Sequence, residues 1–484
     1  MNNLFFKTAV AIVVIAVFSS CNTKKNETLI STGKNKPNIL IIVTDQLRAQ
    51  ALGYSGDPNI KTPNIDKLAA MSANFTNAVS GMPVCTPFRG SLITGQRPIT
   101  NGMFMNDIQL DTTALTMGKI YSKQGYDTGY IGKWHMDGNG REKFIPPGNR
   151  RQGFQFWMAN ECSHNYNKSV YFDNNDPTPR IWKGYDTFAQ TDAAIDFMKS
   201  KKETKNPFLL VLSWGTPHNP YNTAPKKYQQ MFSPENIKLR PNVPEKMHDD
   251  VKKNIVGYYA HVAAIDDMIG KLIQNLKETN QLDNTIIVFT SDHGDLLGSH
   301  SAYRKQQPYN ESIKVPMLVY VPKALGVKAG VRDAMINSED ILPTLLGLCD
   351  MSIPKSVEGI NYRRYLEGKD DTVGKETIIT CVQPFGEWNG VTGKGREYRG
   401  LVTSKYTFVK DLKGPWLLFD NEKDPYQMNN LVNNPEYSKI QVDLDNRLVK
   451  RLKDNGDDFL DGMHYVKKWK YPVNESGTVP YNHK

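Results

Sequence analysis

Cysteine is scarce in this chain, five residues among 484, and no two of them form a C-x-x-C pair. That argues against a dense disulfide framework and against a cysteine-ligated metal site. Long apolar runs are scarcer still: after residue 20 no segment approaches the ~18 apolar residues that a membrane helix needs. Repeats and low-complexity tracts are also missing. With 39% hydrophobic and 23% charged residues, 36 Gly and 28 Pro, the composition excludes collagen and wholesale disorder and fits a globular protein. Its length permits two or three domains, and two is the expectation.

The one marked apolar run opens the chain. Met1 to Lys7 is a short basic start and Thr8 to Phe18 is unbroken apolar sequence, so residues 1–20 read as a signal peptide. Ser19-Ser20-Cys21 is similar to a bacterial lipoprotein signal in which Cys21 becomes the lipidated first residue, with ordinary cleavage nearby as the alternative. Residues 21–35 are polar and Lys-rich and read as a tether. No acidic cluster follows Cys21, so the expected location is periplasmic and lipid-anchored, with the cell surface or secretion as alternatives. Contact with the membrane is then through the lipid alone.

Net charge is +10, and removal of the leader takes away only Lys7. A basic exported protein points weakly to an anionic partner. Nucleic acid is not that partner on this reading: Lys and Arg are dispersed, and no recognition-helix, RNP or zinc-finger pattern is present.

Four short apolar runs read as buried strands: Pro37 to Thr44, Pro207 to Ser213, Thr285 to Ser291 and Val315 to Val321. Helical patterns lie between them at Pro63 to Ala73, with Thr62 as N-cap, and at Asp186 to Lys199 and Asn254 to Thr279. Strands alternating with helices predict an α/β sheet covered on both faces. After about residue 375 the texture changes to short strands at Glu376 to Thr380, Tyr398 to Thr403, Tyr406 to Lys410 and Pro415 to Phe419. The expected division is therefore a domain over 36–375 and a smaller α+β domain over 376–484.

Polar clusters follow three of the buried strands directly: Asp45-Gln46, Trp214 to His218, and Asp292-His293-Gly294-Asp295. That edge of an open α/β sheet is where ligands bind. Each Asp alone reads as a helix cap or turn residue, but two Asp-plus-polar pairs at separate strand ends suggest a cation site built from distant segments.

The run from Val84 to Gly95 contains C-x-P-x-R at Cys85 to Arg89, continued by Ser91-x-x-Thr94-Gly95. Around it stand Gly132-Lys133-Trp134-His135, Pro217-His218, Ser291 to Gly294, Lys305-x-x-x-Tyr309-Asn310-Glu311-Ser312, and a late segment Leu418 to Leu431. Taken in this order, the motifs resemble the type I sulfatases over about residues 37–432. The resemblance implies an alkaline-phosphatase-like α/β/α sandwich with a large mixed sheet, plus a smaller C-terminal domain with a short antiparallel sheet. It also implies oxidation of Cys85 to formylglycine by a separate maturation enzyme.

Chemistry gives a reason for that replacement. A hydrated aldehyde carries two hydroxyls on one carbon, so one attacks sulfur and the other collapses to expel sulfate, whereas a sulfated thiol has no such exit. The helix read from about Pro87 sets residue 85 at an N-terminus that favours anions. By the same resemblance Asp45, Gln46, Asp292, His293 and residue 85 hold one Ca²⁺; the family commonly has Asp at 46 and often Asn at 293. Asp295 reads as a turn residue or a supporting partner of that site. Arg89 orients the nucleophile, Lys133 and Lys305 bind sulfate oxygens, His135 assists deprotonation of the diol, and His218 protonates the leaving oxygen.

The implied activity is hydrolysis of sulfate esters on carbohydrate by an exported bacterial enzyme. The alternatives are a phosphonate or phosphate monoester hydrolase of the same superfamily and a non-catalytic sulfoglycan-binding lipoprotein. Trp157, His164, Arg180, Trp388, Arg396 and Arg399, in two loop-like segments without a readable motif, are candidate substrate contacts.

Overall fold

The computed structural model describes residues 36–204, 206–388 and 395–480, and the chain from Lys36 onward forms one compact unit. The leader, the tether and Cys21 lie outside the described residues. Among those described, no helix is long and apolar enough to cross a membrane.

Ten strands make the main sheet: β1 (Asn38–Asp45), β2 (Ala73–Val79), β3 (Asp127–Lys133), β4 (Phe156–Asn160), β5 (Val170–Asp173), β6 (Arg180–Ile181), β7 (Phe208–Pro217), β8 (Thr285–Ser291), β9 (Met317–Tyr320) and β10 (Gly330–Asn337). Their order is β10-β2-β9-β8-β1-β7-β3-β4-β5-β6. β1 pairs in parallel with β7 and β8, and β3 in parallel with β7. β9 runs against both β8 and β2, which makes the sheet mixed. The four apolar runs read from the sequence are thus β1, β7, β8 and β9, consecutive in the order β9-β8-β1-β7.

Alternation along β1 explains why it had to be apolar throughout. Ile39, Ile41 and Val43 enter the core on one face, while Leu40 and Ile42 enter the core on the other. Burying each such side chain contributes ~1.5–3 kcal/mol. The 31-residue helix His248–Glu278 covers the second face, with Ile255, Val262, Ile265, Ile269 and Leu272 buried there. The helix read from residue 63 spans Pro63–Ala70, but Thr62 does not cap it. Its hydroxyl accepts from Gly53 N and donates to Asp66, so it serves the preceding turn.

The C-terminal sheet is β11 (Glu376–Cys381), β12 (Tyr398–Thr403), β13 (Tyr406–Asp411) and β14 (Gly414–Asp420), antiparallel in that order. Helix Ser438–Asp454 packs Leu444, Leu448 and Leu452 against it.

His261 is fully buried within the long helix and bonded to the Tyr185 hydroxyl. Burial pushes its pKa down from 6.5 to about 4. The unfolded chain therefore takes up this proton first, so the neutral ring's contribution is intact above 6.5 and lost as pH falls towards 4. Urea unfolding should show a loss of about 3 kcal/mol from this group across that window, and a shallower acid decline in His261→Gln.

Candidate active site

Because the central strands are parallel, their C-terminal ends open on one edge. There β1 delivers Asp45 and Gln46, β3 delivers Lys133, β7 leads into His218, and β8 leads into Asp292 and His293. Gly132, at φ 97°, lets β3 close on β7, since a Cβ there would stand 2.1 Å from the Ser213 carbonyl oxygen. Lys133 is thereby turned to the centre of the edge.

Helix Cys85–Thr94 is buried along its whole length and begins at Cys85 itself. In its first turn Thr86 N donates to Asn106 Oδ1 and Thr86 Oγ1 to the His135 carbonyl. Cys85 Sγ stands 2.9 Å from Lys305 Nζ, 3.3 Å from His293 Nε2 and 3.7 Å from Asp45 Oδ1. Burial pushes the thiol up, but Lys133 and Lys305 outweigh it and hold the thiol well below its ordinary range. This position stabilises an anion.

Arg89, one helical turn further on, ties the cluster together. Its Nη2 lies 3.4 Å from Asp45 Oδ2 and 3.2 Å from Asp292 Oδ2. Its Nη1 donates to the Lys133 carbonyl and to Ser213 Oγ. Lys133 Nζ is 2.5 Å from Asp45 Oδ2. Burial and Cys85 push Asp45 up, yet Lys133, His218 and Lys305 hold it well below the usual carboxylate range. Asp292 is raised instead, by burial and by Asp45.

Two histidines have their tautomers fixed by backbone carbonyls, which only accept. His293 Nδ1 donates to Gly294 O, so Nε2 is the nitrogen that faces Cys85 and the carboxylates. His218 Nδ1 donates to Asn219 O, and its Nε2 accepts from Lys305 Nζ at 3.2 Å. Burial, reinforced by Lys305, pushes His218 well below its ordinary pKa.

Asp45, Cys85, Asp292 and His293 present ligand atoms within 4.8 Å of one another, all buried. Gln46 completes the set: its Oε1 is buried without a hydrogen-bond partner among the described residues, while its Nε2 donates to Asp295 Oδ2 at 2.7 Å. An amide oxygen held free in this way suits a divalent cation. Asp295, for which the sequence offered a turn or a supporting role, fills both: Oδ1 accepts from Leu297 N and Arg304 N, and Oδ2 from Gln46 and the Tyr221 hydroxyl. Its position two residues after His293 was the available signal; Tyr221 gave none.

The other candidate residues scatter. His164 stacks parallel on His218, ring centroids 4.5 Å apart, and burial pushes its pKa down to about 3. Arg180 is exposed and paired with Asp173 and Asp176. Arg396 pairs with Asp411 and lies over Trp416. Trp388 is half-buried at the edge of the described residues. Trp157 and Arg399 are buried in the interior, Arg399 against Asp457. Among the described residues, no hydrogen bond or ion pair joins any of these five to the cluster.

A buried position that stabilises an anion, ringed by three cations and set beside a cation-ready group of carboxylates at the C-terminal edge of a mixed α/β sheet, defines a hydrolase of anionic esters. The profile of the Sulfatase family matches residues 37–351, and that described as N-sulphoglucosamine sulphohydrolase, C-terminal, matches residues 298–454. The chain belongs to the sulfatase family and is a sulfuric ester hydrolase.

It is 42% identical to an ulvan-active sulfatase of Formosa agariphila over 476 residues, 98% of this chain and 92% of that protein. A Bacteroides thetaiotaomicron structure from work on the metabolism of multiple glycosaminoglycans is 27% identical, with a TM-score of 0.78 over 90% of this chain and all of that one. The phosphonate monoester hydrolase of Agrobacterium radiobacter is 20% identical, with a TM-score of 0.71 over 91% and 99% of the two chains, a likeness of fold alone.

Arg89 separates two buried carboxylates, so Arg89→Met should lower the stability of chelator-treated protein by about 3–5 kcal/mol in urea unfolding. The mutant should regain part of that loss when calcium is added.

Proposed function

We propose that the protein hydrolyses O-sulfate esters on carbohydrate through a formylglycine made from Cys85 and a covalent sulfo-enzyme intermediate. The observation that carries this reading is Cys85 itself: inside C-T-P-F-R, first residue of a buried helix, 2.9 Å from Lys305 and beside Asp45 and His293. One hydroxyl of the hydrated aldehyde attacks sulfur and the substrate alcohol leaves. The second hydroxyl then loses its proton, the C=O bond re-forms and sulfate departs with the electron pair of the broken C–O bond.

Each neighbouring group has a part in this reading. Lys133 and Lys305 bind sulfate oxygens and offset the charge that develops on them. Arg89 fixes the carboxylates and the start of the helix. His218 is the acid for the leaving oxygen through Nε2. Burial and Lys305, which now donates to that nitrogen, lower its pKa, so the sulfate must first draw the Lys305 ammonium to its own oxygens and leave Nε2 to take up the proton it gives. Asp45, Gln46, Asp292, His293 and residue 85 would hold a Ca²⁺, which supplies Lewis-acid stabilisation of negative charge when bound. The mostly oxygen donor set supports calcium, with the His293 nitrogen as the less usual ligand.

Carbohydrate as substrate is supported by the ulvan-active relative. His164, stacked on His218, is the candidate contact that best supports a role in sugar selection. A phosphonate esterase is not favoured, since that likeness is one of fold, and a purely binding role leaves the intact nucleophile motif without a purpose. We further propose a lipid anchor at Cys21 facing the periplasm, supported by the apolar leader. Cys21→Ala should release soluble enzyme, whereas removal by proteases applied to intact cells would put the protein on the outside.

Mass spectrometry across residue 85 tests the mechanism. Protein co-produced with a maturation enzyme should carry a peptide that has lost one sulfur and two hydrogens and gained one oxygen, and should release sulfate from ulvan oligosaccharides. Unmodified cysteine protein turning over equally fast would overturn the formylglycine reading. Exhaustive chelation should abolish turnover, calcium should restore it best, and Asp292→Ala should lose both bound metal and activity. Full activity in metal-free protein would remove the cation from the mechanism.

A further inference from the structure

Asp107 was not among the residues singled out in the sequence, yet its carboxylate is almost fully buried beside the site. Its Oδ1 lies 3.1 Å from His135 Nε2. Arg141 grips it from the other side with a two-point fork, Nε to Oδ1 at 3.0 Å and Nη2 to Oδ2 at 2.9 Å. A carboxylate held by a guanidinium accepts, so His135 Nε2 carries the hydrogen and Nδ1 is the nitrogen left to gain or lose a proton. Nδ1 is buried without a hydrogen-bond partner among the described residues, and the His135 carbonyl is held by Thr86, the residue next to Cys85.

The backbone is bent to make this arrangement. Asp107 and His135 both occupy the left-handed region, at φ 62° and 58°, a conformation that non-glycine residues keep only where the surroundings impose it. The imposing contacts come from the turn that carries residue 85: Thr86 N holds Asn106, and Thr86 Oγ1 holds the His135 carbonyl. Nucleophile position, histidine and carboxylate are therefore fixed to one another through two adjacent residues.

We infer that Asp107, gripped by Arg141, is a positioning residue that fixes the tautomer and direction of His135, so that Nδ1 takes the proton released when sulfated residue 85 expels sulfate. The inference rests on the sulfo-enzyme reading above. The O–H proton of the remaining hydroxyl passes to Nδ1, its electron pair forms the C=O bond, and the C–O bond to sulfate breaks. Water then adds back to the aldehyde and the proton leaves Nδ1 for solvent. The geometry is that of a histidine oriented by a carboxylate, placed here to serve the second chemical step.

That placement has a kinetic signature that loop anchoring alone does not. Slowing only the second step lowers kcat and KM together and leaves kcat/KM unchanged, because kcat/KM reports events up to loss of the alcohol. For Asp107→Asn, with formylglycine at residue 85 verified, we expect kcat and KM for 4-nitrophenyl sulfate to fall together by about 100-fold. Where turnover is confined to glycans, ulvan oligosaccharides serve as the probe. A burst of about one alcohol per active site should precede turnover, and quenched protein should carry a sulfate adduct on residue 85.

Unchanged parameters, or a fall in kcat/KM matching that in kcat without burst or adduct, would overturn the inference. If Asp107→Asn fails to fold, Arg141→Gln decides by the same criteria, with a parallel fall of about 10-fold expected because the carboxylate remains. No turnover of any sulfate ester by matured wild-type protein would instead fault the sulfo-enzyme reading itself and this inference with it.

Discussion

Two carboxylates and three cationic side chains share a volume from which solvent is excluded, and neither set is tolerable without the other. Asp45 and Asp292 lie too close to be left facing each other, and Arg89 between them is the contact on which the rest depends. A buried charge without its partner costs several kcal/mol, so the framework must deliver all five groups at once. That requirement accounts for the parallel centre of the sheet, for the close approach at Gly132, and for a helix that is buried from its first residue. The surplus of positive charge left over is what makes residue 85 a place for an anion.

Proton positions around this centre are set by groups that cannot change roles. Backbone carbonyls take the Nδ1 hydrogens of His218 and His293, and a carboxylate faces Nε2 of His135. Each ring thus has one nitrogen engaged by its outer partner and the other turned elsewhere: Nε2 of His218 to Lys305, Nε2 of His293 to Cys85 and the carboxylates, and Nδ1 of His135 into a buried space without a hydrogen-bond partner among the described residues. Three histidines are thereby oriented differently because their outer partners differ, just as Asp295 frees one atom of Gln46 by binding the other.

How much of this could be read beforehand depended on the range of the interactions. The apolar runs at β1, β7 and β8 were legible because a strand buried on both faces has no polar position, and the C-terminal strands because short strands and turns announce themselves locally. Cys85, Arg89, Lys133, His218, Asp292, His293 and Lys305 were legible through motifs that residue order preserves, and they meet in the structure. The cap expected from Thr62 went elsewhere, because its hydroxyl found a tertiary donor in Gly53. Asp107 and Tyr221 sit in unremarkable local sequence, and their importance comes only from what lies across from them.

The sequence by itself determined the alternation of buried strands and helices, the family, and the motif that carries Cys85, since these rest on local pattern and on residue order. Which nitrogen of each histidine faces inward, that the amide nitrogen of Gln46 is bonded while its oxygen is left for another partner, and which loop arginines are already engaged with acidic neighbours were decided by the tertiary structure alone. Some of those outcomes are contacts between segments far apart along the chain, 28 residues for His135 and Asp107 and 249 for Gln46 and Asp295, while others, such as the carbonyls next to His218 and His293, are neighbours in sequence whose orientation the fold sets. Arg180 and a true anion-binding arginine look alike along the chain. Only the folded neighbourhood, Asp173 and Asp176 in one case and open solvent or a ligand in the other, sets the charge that is left to act.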